Sequence, residues 1–530
     1  MPVLASVPLA RPHAAHTAVL ALAIAAIGVL CVAYNTFGAL LPYADCINGA
    51  LLFADVRREG LAAVASWRLP ADNFLFVLHV FAAPWFVAFG TGMASLVALG
   101  TLLFLLGVAG AGALVARATH DMRAGTCALL LLFAIPLSIA HVNQSHPVGH
   151  GSTMIFVLLA AWLAADIVAG APWRGKAWLL GGLTLAATVS DPWFAAVASV
   201  PLAVAALLLA TMRQVPWAAV RAITASLVAA NLVAYGALRV AKHVGWLQPH
   251  AMPLAEPQMI PANARSLVEA LPLLFNYDRD SLPAALWWPF VVLGVALLAL
   301  VLARVARAVR VLDAAGRFIL AFAVLSMLAI AGAYLLTEFA YYNRGQASAR
   351  YLLNVYYMAF IAAGIVLGAT WRSLQWRRAV VLGWMAIFAL PTIYNAVRES
   401  YHNRFGPHPS LIAHHTVLRT LEREGLRDGF APYATGAVGA NSLTWLAGDT
   451  ARVRPVEVKD GRLRTFFLNA NRTWYAPPNE ARFLLVARDD APPFEAAARA
   501  AFGPPARTLR AGDYLIFVWD RDVMPLLARQ

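Results

Sequence analysis

The residues that could do chemistry in this chain gather where apolar stretches begin or end. Asp45 lies in Leu41-Pro42-Tyr43-Ala44-Asp45-Cys46-Ile47, just past the first long apolar run, and opens a polar stretch reaching about Asn73. An acid at a water–lipid boundary can deprotonate an acceptor hydroxyl or amine, or hold a cation. The ordinary reading is a loop residue marking the end of a span. Asp191, in Ser190-Asp191-Pro192-Trp193-Phe194, is wedged between two apolar runs. An ionisable group there is costly unless it faces a polar cavity. It can position an acceptor, cap the following helix with Pro192 at the first position, or do both. Asp72, in Trp67-Arg68-Leu69-Pro70-Ala71-Asp72-Asn73, is either a second carboxylate near Asp45 or the N-cap of the next helix.

Two further clusters carry positive or titratable groups. Three histidines occur in His141-Val142-Asn143-Gln144-Ser145-His146-Pro147-Val148-Gly149-His150. They could hold a divalent metal or touch phosphate, although the spacing matches no zinc signature and loop histidines are often only solvated. His146 and His150 are retained as cavity-lining candidates, and no metal site is assigned. In Tyr341-Tyr342-Asn343-Arg344-Gly345-Gln346-Ala347-Ser348-Ala349-Arg350-Tyr351, Arg350 opens a late apolar run, with Arg344 close before it. A guanidinium can grip phosphate with two parallel hydrogen bonds. Arg and Tyr at span ends also serve simply as interfacial anchors. Asn276-Tyr277-Asp278-Arg279-Asp280 reads as a solvated turn, with a substrate lid as the other reading.

The elements that must position these groups are membrane spans. Of the 530 residues, 61% are hydrophobic and 13% are charged; mean hydropathy is +0.66. A soluble domain carries roughly 25% charged residues. Runs long enough to cross a bilayer core of about 30 Å fall near 17–37, 92–116, 125–141, 152–170, 177–190, 193–212, 219–240, 284–304, 318–338, 351–370 and 379–397. The stretch 74–90 contains Pro84 and reads as an interfacial or re-entrant helix. The formal charge of +14 is explained by Lys and Arg in alternate connections, as the positive-inside pattern requires. No basic patch interleaved with aromatics points to nucleic acid. The basic connections are those holding Arg117 and Arg123, Arg174 and Lys176, Arg213 and Arg221, Arg304 to Arg317, and Arg372 to Arg378. These are read as cytoplasmic, which puts the N-terminus inside and the chain after about 398 outside. An uncleaved first span is expected.

Cys31, Cys46 and Cys127 form no CxxC pattern and imply no disulfide framework. The chain has no Walker A loop, GxGxxG after a strand, GxSxG elbow or HExxH motif. The tail differs in composition. Leu411–Leu426 reads as an amphipathic helix, Gly429–Ala434, Arg452–Val458, Arg482–Arg488 and Tyr514–Asp520 as strands, and Phe494–Phe502 as a short helix. The expected fold is therefore mainly α. A polytopic bundle of about 11 spans over 1–397 carries a small extracytoplasmic α/β domain over 398–530.

An acid after the first span (Asp45), a long first external segment with interfacial helices, Arg350-Tyr351 at the outer start of a late span and a soluble outer tail together resemble GT-C superfold glycosyltransferases. Protein O-mannosyltransferases and lipid A aminoarabinose transferases belong to that group. Cys46 stands after Asp45 where some of these families carry Glu. The resemblance implies transfer of a sugar from a polyprenyl-phosphate donor to a glycan, lipid or protein acceptor at the outer face. Asp45 would be the general base, Arg350 with Arg344 or His146 would hold the leaving phosphate, and Asp191 and Asp72 would orient hydroxyls. No cofactor is implied, because the phosphate linkage supplies the driving force. High Ala, Arg and Pro usage suggests a GC-rich bacterium, hence an inner membrane and periplasm. The rival readings are a transporter or flippase of lipid-linked sugars, expected to show internal repeats and helices broken at the midplane, and a non-catalytic membrane subunit.

Overall fold

The computed structural model describes residues 44–122, 124–125, 149–247, 253–274, 284–338, 350–371, 380 and 409–527. The runs expected at 17–37, 125–141 and 379–397 fall almost wholly outside these residues.

Among the described residues six helices are long and apolar enough to cross a membrane: Met93–Thr119, His150–Val168, Trp217–His243, Val291–Val311, Ala314–Leu336 and Leu353–Thr370. Trp173–Ser190 is also helical, and Leu75–Phe89 and Ala195–Thr211 are shorter apolar helices. The chain is thus a multi-pass membrane protein. Lipid is as apolar as the helix surfaces, so packing rather than water exclusion joins such helices, and small residues let them approach closely. Ala160, Ala161, Ala164 and Ala165 are fully buried along one helix. Gly316 meets the end of Met93–Thr119 so closely that a Cβ would lie 2.4 Å from the Ala118 carbonyl oxygen. Val292, Val295, Leu298 and Leu302 face outward, as a lipid-facing helix requires.

The segment after Asp45 is more ordered than the polar loop expected from sequence. It forms a helix, α1, over Ala44–Glu59 and a short helix, α2, over Ala62–Ser66. Cys46, Ile47, Ala50, Leu51 and Leu52 are buried against apolar residues of the tail, which is why a charge-rich stretch holds a helix. Strand β1 (Trp67–Arg68) follows and leads to Leu75–Phe89.

The tail is a small α/β unit. It contains β2 (Asp428–Pro432), β3 (Arg452–Lys459), β4 (Arg462–Thr465), β5 (Ala470–Asn471), β6 (Phe483–Ala487), β7 (Arg507–Ala511) and β8 (Tyr514–Val518). Six of them form one sheet in the order β4-β3-β2-β6-β8-β7. Parallel pairing of β2 with both β3 and β6 needs helical crossovers. Ala440–Ala447 lies between β2 and β3 in the chain, and Pro409–Arg423 precedes β2. Helix Ala440–Ala447 and strands β4, β5 and β7 are additional to the expected pieces. Strand β5 pairs antiparallel with β1, Trp67 opposite Asn471 and Arg68 opposite Ala470, so the tail is hydrogen-bonded to the segment that precedes the membrane helix Met93–Thr119.

Candidate functional site

The site is built where Ser190 ends one helix and Asp191 begins the turn into the next. Asp191 is fully buried. Its Oδ2 accepts from the Thr153 hydroxyl at 2.7 Å and pairs with His150 Nδ1 at 2.9 Å; its Oδ1 accepts from the Trp193 amide at 3.1 Å. The last bond is the expected cap, and the first two make the same carboxylate a polar anchor. The contact between His150 Nδ1 and Asp191 Oδ2 fixes the direction of the imidazole ring. His150 is buried in the first turn of the helix Gly149–Val168 rather than in a loop. Thr153 sits three residues on, on the same helical face.

Aromatic rings surround that imidazole. Trp193 lies 5.0 Å from it, Tyr351 5.4 Å and Phe74 5.6 Å between ring centroids. The Trp193 indole N–H is buried without a hydrogen-bond partner, a donor that a bound polar group could take. Phe74 is brought in by its neighbours. Asn73 Nδ2 donates to the Val189 carbonyl at 2.8 Å, the Phe74 amide to the Ser190 carbonyl at 2.9 Å, and the Phe76 amide to the Ser190 hydroxyl at 2.8 Å.

Of the candidates, His150, Asp191 and Tyr351 therefore meet in one cluster. Arg350 shares the 3₁₀ turn Arg350–Leu352 with Tyr351. Asp72 is half-buried two residues before Phe74. The capping role considered for Asp72 belongs to Asn73, whose Oδ1 accepts from the Leu75 amide at 3.0 Å. Phe74 takes a left-handed conformation with φ 51°, and this brings the preceding side chain to the first helical amide. Asp45 is the second residue of α1, one turn before Gly49. A Cβ on Gly49 would lie 2.9 Å from His79 Nδ1, so this stretch of α1 packs against Leu75–Phe89. His146, Arg344, His141 and the turn 276–280 lie outside the described residues. Among the described residues no group of three or more His, Cys, Asp or Glu could hold a metal ion.

Sequence reading missed Thr153 and Phe74, and quoted Asn73 and Trp193 without a role. It also missed Asp55, fully buried on α1. That carboxylate accepts from Trp67 Nε1 at 2.8 Å, Trp474 Nε1 at 2.9 Å and Asn471 Nδ2 at 3.0 Å, and pairs with Arg58. Nearby on the same helix, Asn48 bonds Tyr433 at 3.2 Å and Asn441 at 2.9 Å, both from the tail. Helix α1 is thus held to the tail at Asn48 and at Asp55.

The fold, a multi-pass helical bundle beside a docked α/β unit, is similar to that of solved GT-C proteins. The chain matches the crystal structure of ArnT from Cupriavidus metallidurans in the apo state with a TM-score of 0.57 and 12% identity, over 95% of this chain and 98% of that one. ArnT bound to undecaprenyl phosphate is matched equally, at TM-score 0.57 and 12% identity over 94% and 98%. An Archaeoglobus fulgidus oligosaccharyltransferase complexed with Zn and sulfate is matched more loosely, at TM-score 0.45 and 11% identity over 91% and 70%. No family model matches the chain, and no curated protein matches it.

Proposed function

We propose that this protein is a membrane glycosyltransferase that moves a sugar from a polyprenyl-phosphate donor to an acceptor of the cell envelope. The observation that carries the reading is a fold shared along nearly the whole chain with ArnT, a protein seen bound to undecaprenyl phosphate. The His150–Asp191 cluster and the start of α1 supply groups of the kind such a reaction needs. Asp45 takes the proton of the acceptor hydroxyl or amine as the acceptor attacks the anomeric carbon. The new bond forms on the face opposite the phosphate, the carbon–phosphate oxygen bond breaks, and configuration inverts. Arg350, assisted by Arg344 and His146, neutralises the charge growing on the leaving phosphate. Asp191 fixes His150, and the aromatic rings around His150 form a wall against which a sugar ring packs. The reaction lies at the periplasmic face of a bacterial inner membrane, with the prenyl tail entering from the bilayer.

The test is incubation of purified full-length protein with synthetic polyprenyl-phosphate sugars and chromatography of the lipid product. Acceptor-dependent release of polyprenyl phosphate is expected. Intact donor across a panel of sugars and envelope acceptors would overturn the reading.

A further inference from the structure

Arg68 and Arg472 come from opposite ends of the chain and meet at one glycine. Strand β1 ends at Arg68, and Arg472 follows β5 directly and opens a 3₁₀ turn; pairing of these two strands brings the arginines together. Both reach Gly245, just past the end of the helix Trp217–His243. A Cβ there would lie 2.7 Å from Arg68 Nη1 and 3.2 Å from Arg472 Nη2, so the missing side chain makes the room both guanidinium groups occupy. Arg472 donates to the Gly245 carbonyl oxygen. Arg68 lies over the Phe467 ring at 5.9 Å.

Neither guanidinium has a carboxylate partner among the described residues. The acids that meet the residues beside Arg472 are engaged elsewhere: Glu59 by Thr473 at 3.3 Å and Asn471 at 3.4 Å, and Asp55 by Asn471 at 3.0 Å and Arg58. The Nε atoms of both arginines are buried without a hydrogen-bond partner. Burial first, and the Arg472 charge second, lower the pKa of Arg68 below its ordinary value. Two half-buried guanidinium groups side by side repel each other, and an anion between them removes the repulsion and fills the two open Nε donors.

We propose that Arg68 and Arg472 form a binding site for a phosphate group, and that the group belongs to an anionic lipid. The position carries the lipid assignment. Gly245 lies two residues beyond a membrane helix, where headgroups lie, and Lys242 adds positive charge to the last turn of that helix. The proposal rests on these two arginines alone and does not depend on the reading of sugar transfer.

The test is native mass spectrometry of the full-length protein offered phosphatidylglycerol or phosphatidylcholine, with thermal shift by inorganic phosphate as a parallel arm. Retention of phosphatidylglycerol in preference to phosphatidylcholine is expected. The preference falls about ten-fold when Arg68→Gln and Arg472→Gln are combined, as expected when a charge-assisted contact is lost. Arg68→Lys, which keeps the charge but not the fork, falls between. Arg68→Gln alone guards against misfolding, because Arg68 makes no side-chain hydrogen bond among the described residues; it must elute as wild type. Equal retention of both lipids by all variants would overturn the site. Protection by inorganic phosphate without lipid preference would overturn the lipid assignment.

Discussion

At the scale of single residues, Asp191 shows how one carboxylate holds a turn and a buried side-chain pair together. Its Oδ1 holds the turn through the Trp193 amide, and its Oδ2 holds Thr153 and His150. Groups sharing one network are not additive, so the two side chains should couple by about 0.5–3 kcal/mol. A cycle of His150→Phe, Asp191→Asn and the pair, read by sugar transfer and by thermal melting, is expected to show that coupling; additive effects would separate them. Asp191 was legible in the sequence because an acid between two apolar runs demands an explanation. Thr153 and Phe74 were not, since an apolar helix and a Pro-containing apolar stretch give no sign of which residues face a neighbour. Asp55 was invisible for a different reason: its indole partner Trp474 is 419 residues away in the chain. Replacing Asp55 by Ala leaves two indole N–H groups buried without an acceptor and Asn471 with only its longer bond to Glu59, a loss of about 3–5 kcal/mol. Asp55→Asn keeps one acceptor oxygen and loses less. Tryptophan fluorescence melting reads this directly, because Trp67 and Trp474 are both fully buried at the node.

At the scale of elements, the order of apolar helices followed from run length and from the turn chemistry at Asp191-Pro192, whereas α1 did not follow. Its burial is supplied by the tail, and a sequence window contains only the charged half of that arrangement. Within the tail, His414 ties the helix Pro409–Arg423 to the helix Ala440–Ala447. Its Nδ1 meets the Ser410 carbonyl at 2.7 Å and its Nε2 the Ser442 hydroxyl at 2.9 Å. Burial is the main reason its pKa is lowered, with the Ser410 carbonyl opposing and the charge of His415 adding to the effect. The unfolded chain then binds this proton more readily than the folded one. Stability is retained above the ordinary histidine value of about 6.5 and falls as pH drops below it. The melting temperature of wild type should decline between pH 7 and pH 5 more steeply than that of His414→Gln. Parallel profiles would remove His414 as the cause.

At the scale of the molecule, bundle and tail are not independent. One apolar core contains Ile47, Leu51 and Trp67 together with Phe430, Trp474 and Phe517, and β1–β5 crosses between them. Ending the chain before Pro409 would expose Trp67 and strip Asp55 of its tail partners, so the shortened protein should aggregate in size-exclusion chromatography. A monodisperse shortened protein would show that the tail is dispensable for folding. The same tie packs α1 against the tail on one side, while Gly49 of α1 lies against His79 of Leu75–Phe89 on the other. The most direct measurement of the central claim is transfer of radiolabelled sugar from polyprenyl-phosphate donors by wild type and by Asp45→Asn, with both proteins checked for equal melting temperature. Loss of a general base costs about 100-fold or more, so wild type should transfer and the variant should fall by at least that factor. Equal rates in the two proteins would contradict the assignment of the base, and no transfer by wild type would contradict the glycosyltransferase account itself.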